Sequence, residues 1–299
     1  PSSFTTVGDV NFLGTVQVDG TFSINSGGGD ITIAGNITST GTDEVISLSD
    51  GDSSSGTITF GGTVSASSIT LTGDNGIELT GNITSNTSSS AAENAAGSIT
   101  FTGPVSLAGN ITIDADQHDG TTVTFNSAVD SKVASTGASN DPGKSLTIDT
   151  DSGAIQMQGA IGGSKALTAL TINSDGDAVI EVANIGSTTA GVTGSTAIGN
   201  NNTATLTLDG TIYKTTGSQT YKAKSGQYID ITNTATGGVA FTTTNTDIDF
   251  NNSGVDLETN NTITISTGDG DGEVKFGGAI ETNGGCLLYT SPSPRDLRL

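Results

Sequence analysis

Two acid-rich turns carry the residues that could bind a metal ion. The first contains Asp114, Asp116 and Asp119, and the second contains Asp269, Asp271 and Glu273. Carboxylates on a glycine-containing turn can supply the oxygen ligands that Ca²⁺ takes in sets of about six to eight. Neither turn matches the EF-hand loop, and aspartate and glycine also form ordinary solvated turns. The sequence therefore predicts no metal site and no cofactor, with these six residues as the main Ca²⁺ candidates. Three further acid-rich turns share the pattern: Asp50-Gly51-Asp52, Asp149-Thr150-Asp151 and Asp175-Gly176-Asp177.

A second group combines aromatic rings with lysines in a chain that is otherwise acidic. It consists of Tyr213, Lys214, Tyr221, Lys222, Lys224 and Tyr228. Rings beside cations could form a shallow platform for a glycan or a partner chain. The same residues could instead form a cross-strand ladder that covers the outer face of a sheet.

Groups for catalysis are sparse. His118 is the only histidine, and it lies in an acidic turn without a second histidine or a cysteine nucleophile. Polysaccharide-cleaving enzymes combine clustered carboxylates with cationic side chains that stabilise developing charge. The first 285 residues contain no arginine. We therefore predict that the chain is not an enzyme.

Threonine pairs such as Thr57-Ile58-Thr59 and Thr262-Ile263-Thr264 place two hydroxyls on one face of a strand. Regular arrays of such pairs can bind ice. These pairs do not recur at one fixed spacing along the chain. The sequence thus predicts ragged arrays, with threonine simply occupying outward positions.

Composition and charge limit the partners. The formal net charge is −22, from 31 acidic residues against 9 lysines and arginines. Such a surface repels phosphates and anionic lipids, so we predict no nucleic-acid partner. No apolar run approaches the roughly 18 residues of a membrane span, so no membrane insertion is predicted. Cys286 is the only cysteine, which excludes an intrachain disulfide.

A repeated pattern, apolar-x-apolar-x-small-x-apolar, indicates the fold. Copies occur at Val10–Val16, Ile58–Val64, Ile99–Val105, Ile155–Ile161 and Val274–Ile280. Alternation places the apolar positions on one face of a strand, and glycine between them suits a corner. A short second strand and a polar turn follow each copy, once per 20–25 residues or so, which is the size of a solenoid coil. The chain is predicted to be all-β, a right-handed parallel β-helix (β-solenoid) of about eleven irregular coils.

Two further expectations follow from this pattern. The large inward side chains should be buried and lie on one side of the stacked coils: Phe12, Phe60, Phe101, Phe125, Met157 and Phe276. The stretches 85–97, 134–144 and 186–203 are rich in small polar residues and have little apolar periodicity. They are predicted to be loops outside the stack.

Residues 4–285 resemble bacterial β-strand-repeat surface proteins of the filamentous-haemagglutinin and adhesin type. The stretches that carry the resemblance are Gly153–Gly163 with Leu167–Ile172, and Gly210–Tyr221. The resemblance implies a β-helical stalk fragment of a larger extracellular protein, on the bacterial cell surface or associated with the outer membrane. It also implies that other regions of that protein contact host or neighbouring cells, glycans or matrix. The alternative is a carbohydrate-binding or polysaccharide-degrading β-helix protein.

Composition changes sharply at Gly285. Residues 286–299 hold the only cysteine and both arginines, and they resemble translated sequencing-adapter read-through at the ends of metagenomic contigs. We therefore predict that residues 1–285 are the β-solenoid region and that residues 286–299 are a non-native tail without regular pairing to the last coil. A genuine flexible C-terminal tail is the alternative.

Overall fold

The computed structural model describes residues 2–39, 41, 44–51, 55–85, 97–115, 120–132, 142–233, 238–251, 254–257, 262–282 and 286–290. Within these ranges the regular elements are β-strands, and their pairing is parallel. The described chain is a parallel β-solenoid of about ten turns, which confirms the predicted fold class. Its right-handed sense stays a prediction. None of the described residues forms a helix that is long and apolar enough to cross a membrane.

The chain divides into two compact units, Pro1–Gly159 and Ala160–Leu299. The described strands of unit 1 are β1 (Ser2–Thr5), β2 (Val10–Phe12), β3 (Val16–Val18), β4 (Thr21–Asn25), β5 (Ile31–Ile33), β6 (Ile37–Ser39), β7 (Val45–Ser49), β8 (Ile58–Phe60), β9 (Val64–Ala66), β10 (Ser68–Thr72), β11 (Ile77–Leu79), β12 (Ile83–Ser85), β13 (Ser98–Thr102), β14 (Val105–Leu107), β15 (Ile111–Ala115), β16 (Thr122–Phe125), β17 (Val129–Ser131), β18 (Ser145–Thr150) and β19 (Ile155–Met157).

Three strands make one coil of unit 1, and each contributes to a different sheet. The first sheet has the order β1-β4-β7-β10-β13-β16-β19, the second β17-β14-β11-β8-β5-β2, and the third β3-β6-β9-β12-β15-β18. The coils differ in length, because Ile58 pairs with Ile77 across a short coil, whereas Val123 pairs with Ile155 across a much longer one. The connecting segments absorb the difference, so the strands still stack in register.

Alternation within these short strands builds the core of unit 1. Beyond the first coil, the strands bury alternate apolar positions and turn the residues between them outward, as in β13, where Ile99 and Phe101 are 0% exposed. Equivalent residues form inward columns, since Ile31, Ile58 and Ile77 occupy successive rows of the second sheet. Each coil supplies only a few aliphatic side chains, and the neighbouring coils cover them.

Small and polar residues fix the corners between the second and third sheets. Asn36 Oδ1 accepts a hydrogen bond from Thr63 N at 3.0 Å, and Asn82 Oδ1 accepts one from Thr112 N at 2.9 Å. A Cβ on Gly81 would lie 2.4 Å from the carbonyl carbon of Gly62 in the adjacent coil. Glycine is therefore required there by the close approach of two backbones.

Unit 2 repeats the three-sheet arrangement. Its described strands are β20 (Ala169–Ser174), β21 (Val179–Val182), β22 (Thr196–Ile198), β23 (Thr205–Leu208), β24 (Ile212–Lys214), β25 (Gln219–Lys222), β26 (Tyr228–Ile231), β27 (Val239–Thr242), β28 (Ile248–Asn251), β29 (Gly254–Leu257), β30 (Thr262–Ser266), β31 (Val274–Phe276), β32 (Ile280–Thr282) and β33 (Cys286–Thr290). The sheet orders are β21-β23-β26-β29-β32, β24-β27-β30-β33 and β20-β22-β25-β28-β31.

Aromatic rings fill much of the unit 2 core. Tyr213 stacks on Phe241 with ring centroids 4.7 Å apart, and Tyr221 stacks on Phe250 at 5.4 Å. Phe250 stacks in turn on Phe276 at 5.1 Å. The strand register produces these stacks, because Tyr213 pairs with Phe241 and Tyr221 with Phe250 in adjacent coils.

The predicted set of inward side chains is only partly confirmed. Phe60, Phe101, Phe125 and Met157 are at most 1% exposed, whereas Phe12 and Phe276 are half-buried in the outermost strands of their sheets. The prediction that the set lies on one side is wrong. In unit 1, Phe12 and Phe60 belong to the second sheet, and Phe101, Phe125 and Met157 belong to the first. A three-cornered coil has several tight corners of similar sequence, so the motif marks a corner and does not mark one particular corner.

The predicted loop at 186–203 is also wrong. Val192 is fully buried and bridges Leu167 and Thr215, and β22 forms within this stretch. A single valine and one three-residue strand suffice to continue the stack, although the surrounding residues are small and polar. The other two predicted loops are 85–97 and 134–144. Residues 86–96 and 134–141, which make up most of them, lie outside the described residues.

The last described strand corrects the expectation for the tail. Cys286–Thr290 forms β33, which pairs in parallel with β30 through Thr262–Ser266. The sequence here is apolar, aromatic and β-branched, which suits a strand, and β30 presents an open edge that can pair with it. The absence of regular pairing was thus wrongly predicted for these five residues. Residues 291–299 lie outside the described residues, and the interpretation of 286–299 as non-native stays a prediction.

Candidate functional site

The aromatic and lysine residues of unit 2 do not form one platform. Tyr213 and Tyr221 are 0% exposed, so both rings belong to the core and neither belongs to a surface patch. Lys214 lies on β24, Lys222 on β25 and Tyr228 on β26, and these three strands belong to three different sheets. The predicted surface platform, and the alternative outer ladder, are therefore both wrong for the two buried tyrosines.

A hydrogen-bonded network explains why two tyrosines are tolerated in this core. The Tyr213 hydroxyl donates a hydrogen bond to Val182 O at 2.9 Å and accepts one from Gly210 N at 2.8 Å. Tyr221 donates to Gln219 Oε1 at 3.1 Å, and the Gln219 amide donates to Tyr213 O at 2.9 Å. Burial is the main cause that raises the pKa of both phenols well above the usual value of 10.0. Satisfied polar groups in a dry core fix one packing arrangement.

The remaining members of this group make separate surface contacts. Lys214 Nζ donates to Thr188 O at 2.6 Å, and Lys224 Nζ lies 3.5 Å from Asp177 Oδ1. Tyr228 donates its hydroxyl to Glu281 Oε1 at 2.6 Å. That hydrogen bond, together with the charge of Glu281, raises the pKa of the Tyr228 phenol. These contacts tie coils together at the surface, and the one from Tyr228 reaches across the intervening strand β29 to β32.

The Ca²⁺ candidates fall in different environments. Asp114 is an outward residue of β15, in register with Thr84 and Asp149, while Asp116 and Asp119 lie outside the described residues, as does His118. Asp269, Asp271 and Glu273 lie at the surface, none of them buried. Among the described residues, no group of three or more histidine, cysteine, aspartate or glutamate side chains is arranged to hold a metal ion.

An ion-pair cluster lies beside the second acidic turn. Lys275 Nζ is 2.6 Å from Asp247 Oδ2 and 3.2 Å from Glu273 Oε2. The hydrogen bond from Lys275 and the N–H of Glu273 lower the pKa of the Asp247 carboxyl. The same hydrogen bond is the main cause that raises the pKa of the Lys275 amine. The single lysine thus offsets one of the two negative charges of this cluster, which consists of Asp247 and of Glu273, one of the possible metal ligands.

Two buried carboxylates flank β7 in unit 1, and the sequence indicates the burial of neither, although Asp50 belongs to an acid-rich turn. Glu44 is 2% exposed and Asp50 is 0% exposed. Asp50 Oδ2 accepts a hydrogen bond from Asp74 N at 2.8 Å, and Asp50 Oδ1 has no hydrogen-bond partner among the described residues. Burial, followed by the charge of Asp74, raises the pKa of the Asp50 carboxyl. A turn of the form Asp-Gly-Asp gives no sign in the sequence of which aspartate faces inward.

A shallow pocket lies over the outer face of the second sheet in unit 1. Thr59, Glu78 and Ser106 line it from successive rows, together with Asn75. Lys132 Nζ lies 2.5 Å from Glu78 Oε2 and pairs with it. A carboxylate and a cation therefore meet at the edge of this pocket, although both remain partly exposed.

The outward face of the first sheet in unit 1 is a hydroxyl array, here called the hydroxyl face. It has two long columns in strict register: Ser3, Ser23, Ser47, Thr70, Thr100, Thr124 and Gln156, and Thr5, Asn25, Ser49, Thr72 and Thr102. The stretch of chain from Ser47 to Thr70 is shorter than that from Thr70 to Thr100, yet each pair occupies adjacent rows. The prediction of ragged arrays is wrong here, because strand pairing aligns residues that sequence spacing does not.

Comparison with protein-family models, with curated proteins and with solved structures gave no match to this chain.

Proposed function

We propose that this chain is a structural repeat region, the stalk of a secreted or cell-surface bacterial adhesin, and that it has no catalytic function. The observation that supports the proposal is the continuity of the inward columns. In unit 1, Ile31, Ile58, Ile77 and Val105 follow one another in register through four coils and are at most 1% exposed. A core of this kind can be lengthened by adding coils, because each coil contacts only its neighbours.

Surface charge also supports this role. A net charge of −22 keeps such a polypeptide soluble and disfavours contact with anionic lipid and nucleic acid. We place the chain outside the cell, where other regions of the full protein would contact host or neighbouring cells, glycans or matrix. In this role the chain itself sets the distance between an anchor and a binding domain, without a cofactor.

The experiment places the chain between an outer-membrane anchor and a fluorescent reporter domain on a bacterial surface. Axial localisation of the fluorophore then measures the height of the reporter above the membrane. We expect the intact chain to raise the reporter, and a variant lacking one whole coil to lower it by about 4.8 Å, the spacing between paired strands. Averaging over many molecules, or duplicating several coils, brings this difference within measurable range.

The alternative, a carbohydrate-binding or polysaccharide-degrading β-helix protein, rests on the pocket at Glu78 and Lys132. Polysaccharide-cleaving enzymes combine carboxylates with cationic side chains that stabilise developing charge, and this pocket has one group of each kind. A glycan array and a reducing-sugar assay on the purified chain test it, with Glu78→Gln as the matched variant. Saturable binding or cleavage that is lost in Glu78→Gln would refute a purely structural role. In the surface experiment, a reporter height that does not change with the number of coils would refute the stalk role.

A further inference from the structure

The hydroxyl face of unit 1 has a chemical character that a spacer role does not require. Ten of the twelve positions in its two columns are serine or threonine, and the other two are Asn25 and Gln156. Their burial patterns alternate with the core positions, so these side chains project outward from the sheet. The face therefore presents neutral hydrogen-bonding groups over several consecutive coils.

Neutrality distinguishes this face within an acidic protein. The described outward positions of the first sheet in unit 1 carry no charged residue and no aromatic ring. By contrast, Glu78 and Asp130 project from the second sheet of the same unit, and Asp114 and Asp149 from the third. A partner for the hydroxyl face should accordingly be uncharged, and it should not depend on stacking against rings as the flat faces of sugars do.

The array repeats in two directions. Adjacent rows are separated by the strand spacing of about 4.8 Å, and the two columns, which occupy alternate positions along each strand, by about 6.7 Å. At the flank of the face the hydroxyls of Ser68 and Ser98 depart from this interval, because they converge to 3.2 Å and hydrogen-bond to each other. Ice is an uncharged solid whose oxygen atoms also repeat regularly in two directions. A partner that repeats in the same way would contact many positions at once.

We propose that the hydroxyl face binds ice. A single hydroxyl gains little, because it exchanges one hydrogen bond to water for another. Many hydroxyls held at fixed intervals can order their bound waters into a layer that merges with a growing crystal, and each ordered water contributes a small free energy. The parallel register supplies the fixed intervals. This inference goes beyond the stalk role and does not depend on it.

The test measures incorporation of the purified chain into slowly grown ice and inhibition of ice recrystallisation. We expect the chain to enter the ice and to keep crystals small. The variant Thr70→Tyr/Thr100→Tyr, which places two rings in adjacent rows of the longer column, should lose most of both effects. The matched control Thr112→Tyr/Thr147→Tyr changes two outward threonines in adjacent rows of the third sheet and should retain them.

Circular dichroism and the melting temperature establish that both double variants fold as the parent does. If a variant fails to fold, single Thr100→Val and Thr147→Val substitutions, which keep the shape of the side chain, replace the pairs. Exclusion of the parent chain from ice, or equal loss in the two sheets, would overturn the proposal. Binding to crystalline cellulose or chitin without incorporation into ice would likewise overturn it, by assigning the face to a polysaccharide.

Discussion

At the residue scale, Asp50 is a carboxyl group whose environment disfavours its charge. Burial raises its pKa above the usual value of 3.8, the charge of Asp74 adds to this, and the N–H of Asp74 only partly offsets it. The native state therefore binds this proton more tightly than the unfolded chain does. The resulting stability is fully present below pH 3.8 and is lost as the pH rises through the raised native pKa.

Replacing Asp50 by asparagine removes the ionisation and should remove its part of this pH dependence. We expect the melting temperature of the parent chain to fall more between about pH 4 and about pH 7 than that of Asp50→Asn. Thermal unfolding monitored by circular dichroism at fixed ionic strength measures both slopes. Asp19→Asn, at an exposed position, is the control and should keep the parental slope. Equal slopes for Asp50→Asn and the parent would contradict the buried, proton-binding role.

Two glycines at equivalent corners provide a second residue-scale prediction. A Cβ on Gly81 would meet the backbone of Gly62 at 2.4 Å, whereas a Cβ on Gly14 would meet nothing within 4 Å. Gly81→Ala should therefore force two coils apart and destabilise the fold by more than about 2 kcal/mol. Gly14→Ala should change the free energy of unfolding by at most about 0.5–1 kcal/mol. Urea unfolding of the two variants measures the difference, and similar values for both would show that the corners do not approach so closely.

At the scale of the element, alternation and the corner motif were enough to predict parallel coils, but they did not predict the inward face of every strand. Leu206, Leu208 and Ile212 match the corner motif, which places Ile212 inside. The structure instead buries Tyr213. Asn184 Oδ1 accepts hydrogen bonds from the backbone N–H groups of Thr211 and Ile212, and this shifts the corner by one residue. Such a shift depends on a side chain from the preceding coil, which local sequence does not report.

The same limitation explains the missed surfaces. Position along the chain gave no regular spacing for Ser47, Thr70 and Thr100, because the intervening segments differ in length. Only the pairing of the strands reveals that these residues form a column. The acid-rich turns show the converse case. Proximity in sequence suggested a metal site at Asp269, Asp271 and Glu273, but Glu273 instead forms an ion pair with Lys275, which also contacts Asp247.

Coil deletion tests whether the coil is the unit of stability. Ile46 and Ile69 are partners in adjacent rows, so deleting residues 46–68 removes one complete coil and joins Val45 to Ile69 in the same register. We expect this variant to melt within a few degrees of the parent, because the new neighbours restore equivalent contacts. Deleting only residues 46–57 removes the first-sheet strand of that coil and leaves the other two. This shorter deletion should destabilise far more, and a reversed order of melting temperatures would rule out the coil as the unit.

At the scale of the whole molecule, charge is the dominant property. A net charge of −22 opposes folding through self-repulsion, and salt screens this repulsion over about 10 Å at 0.1 M. We expect NaCl to stabilise the chain as well as CaCl₂ does when the ionic strength is matched. Differential scanning calorimetry measures this comparison.

Calorimetric titration of Ca²⁺ into EGTA-treated protein provides the second measurement. We expect no saturable heat. A stoichiometric heat at micromolar Ca²⁺, lost on combined Asp269→Asn and Asp271→Asn substitution, would instead show a dedicated site at that turn. At a Ca²⁺ concentration of 100 times the dissociation constant, such a site would add roughly 2.7 kcal/mol to the free energy of unfolding.

The unequal lengths of the coils also bear on how such a gene can change. Strand register is kept in the short coil from Ile58 to Ile77 and in the long one from Val123 to Ile155, so connections other than the tight glycine corners can differ in length without loss of strand pairing. Replication slippage in these segments would then be close to neutral, whereas slippage of one codon inside a strand would invert its faces.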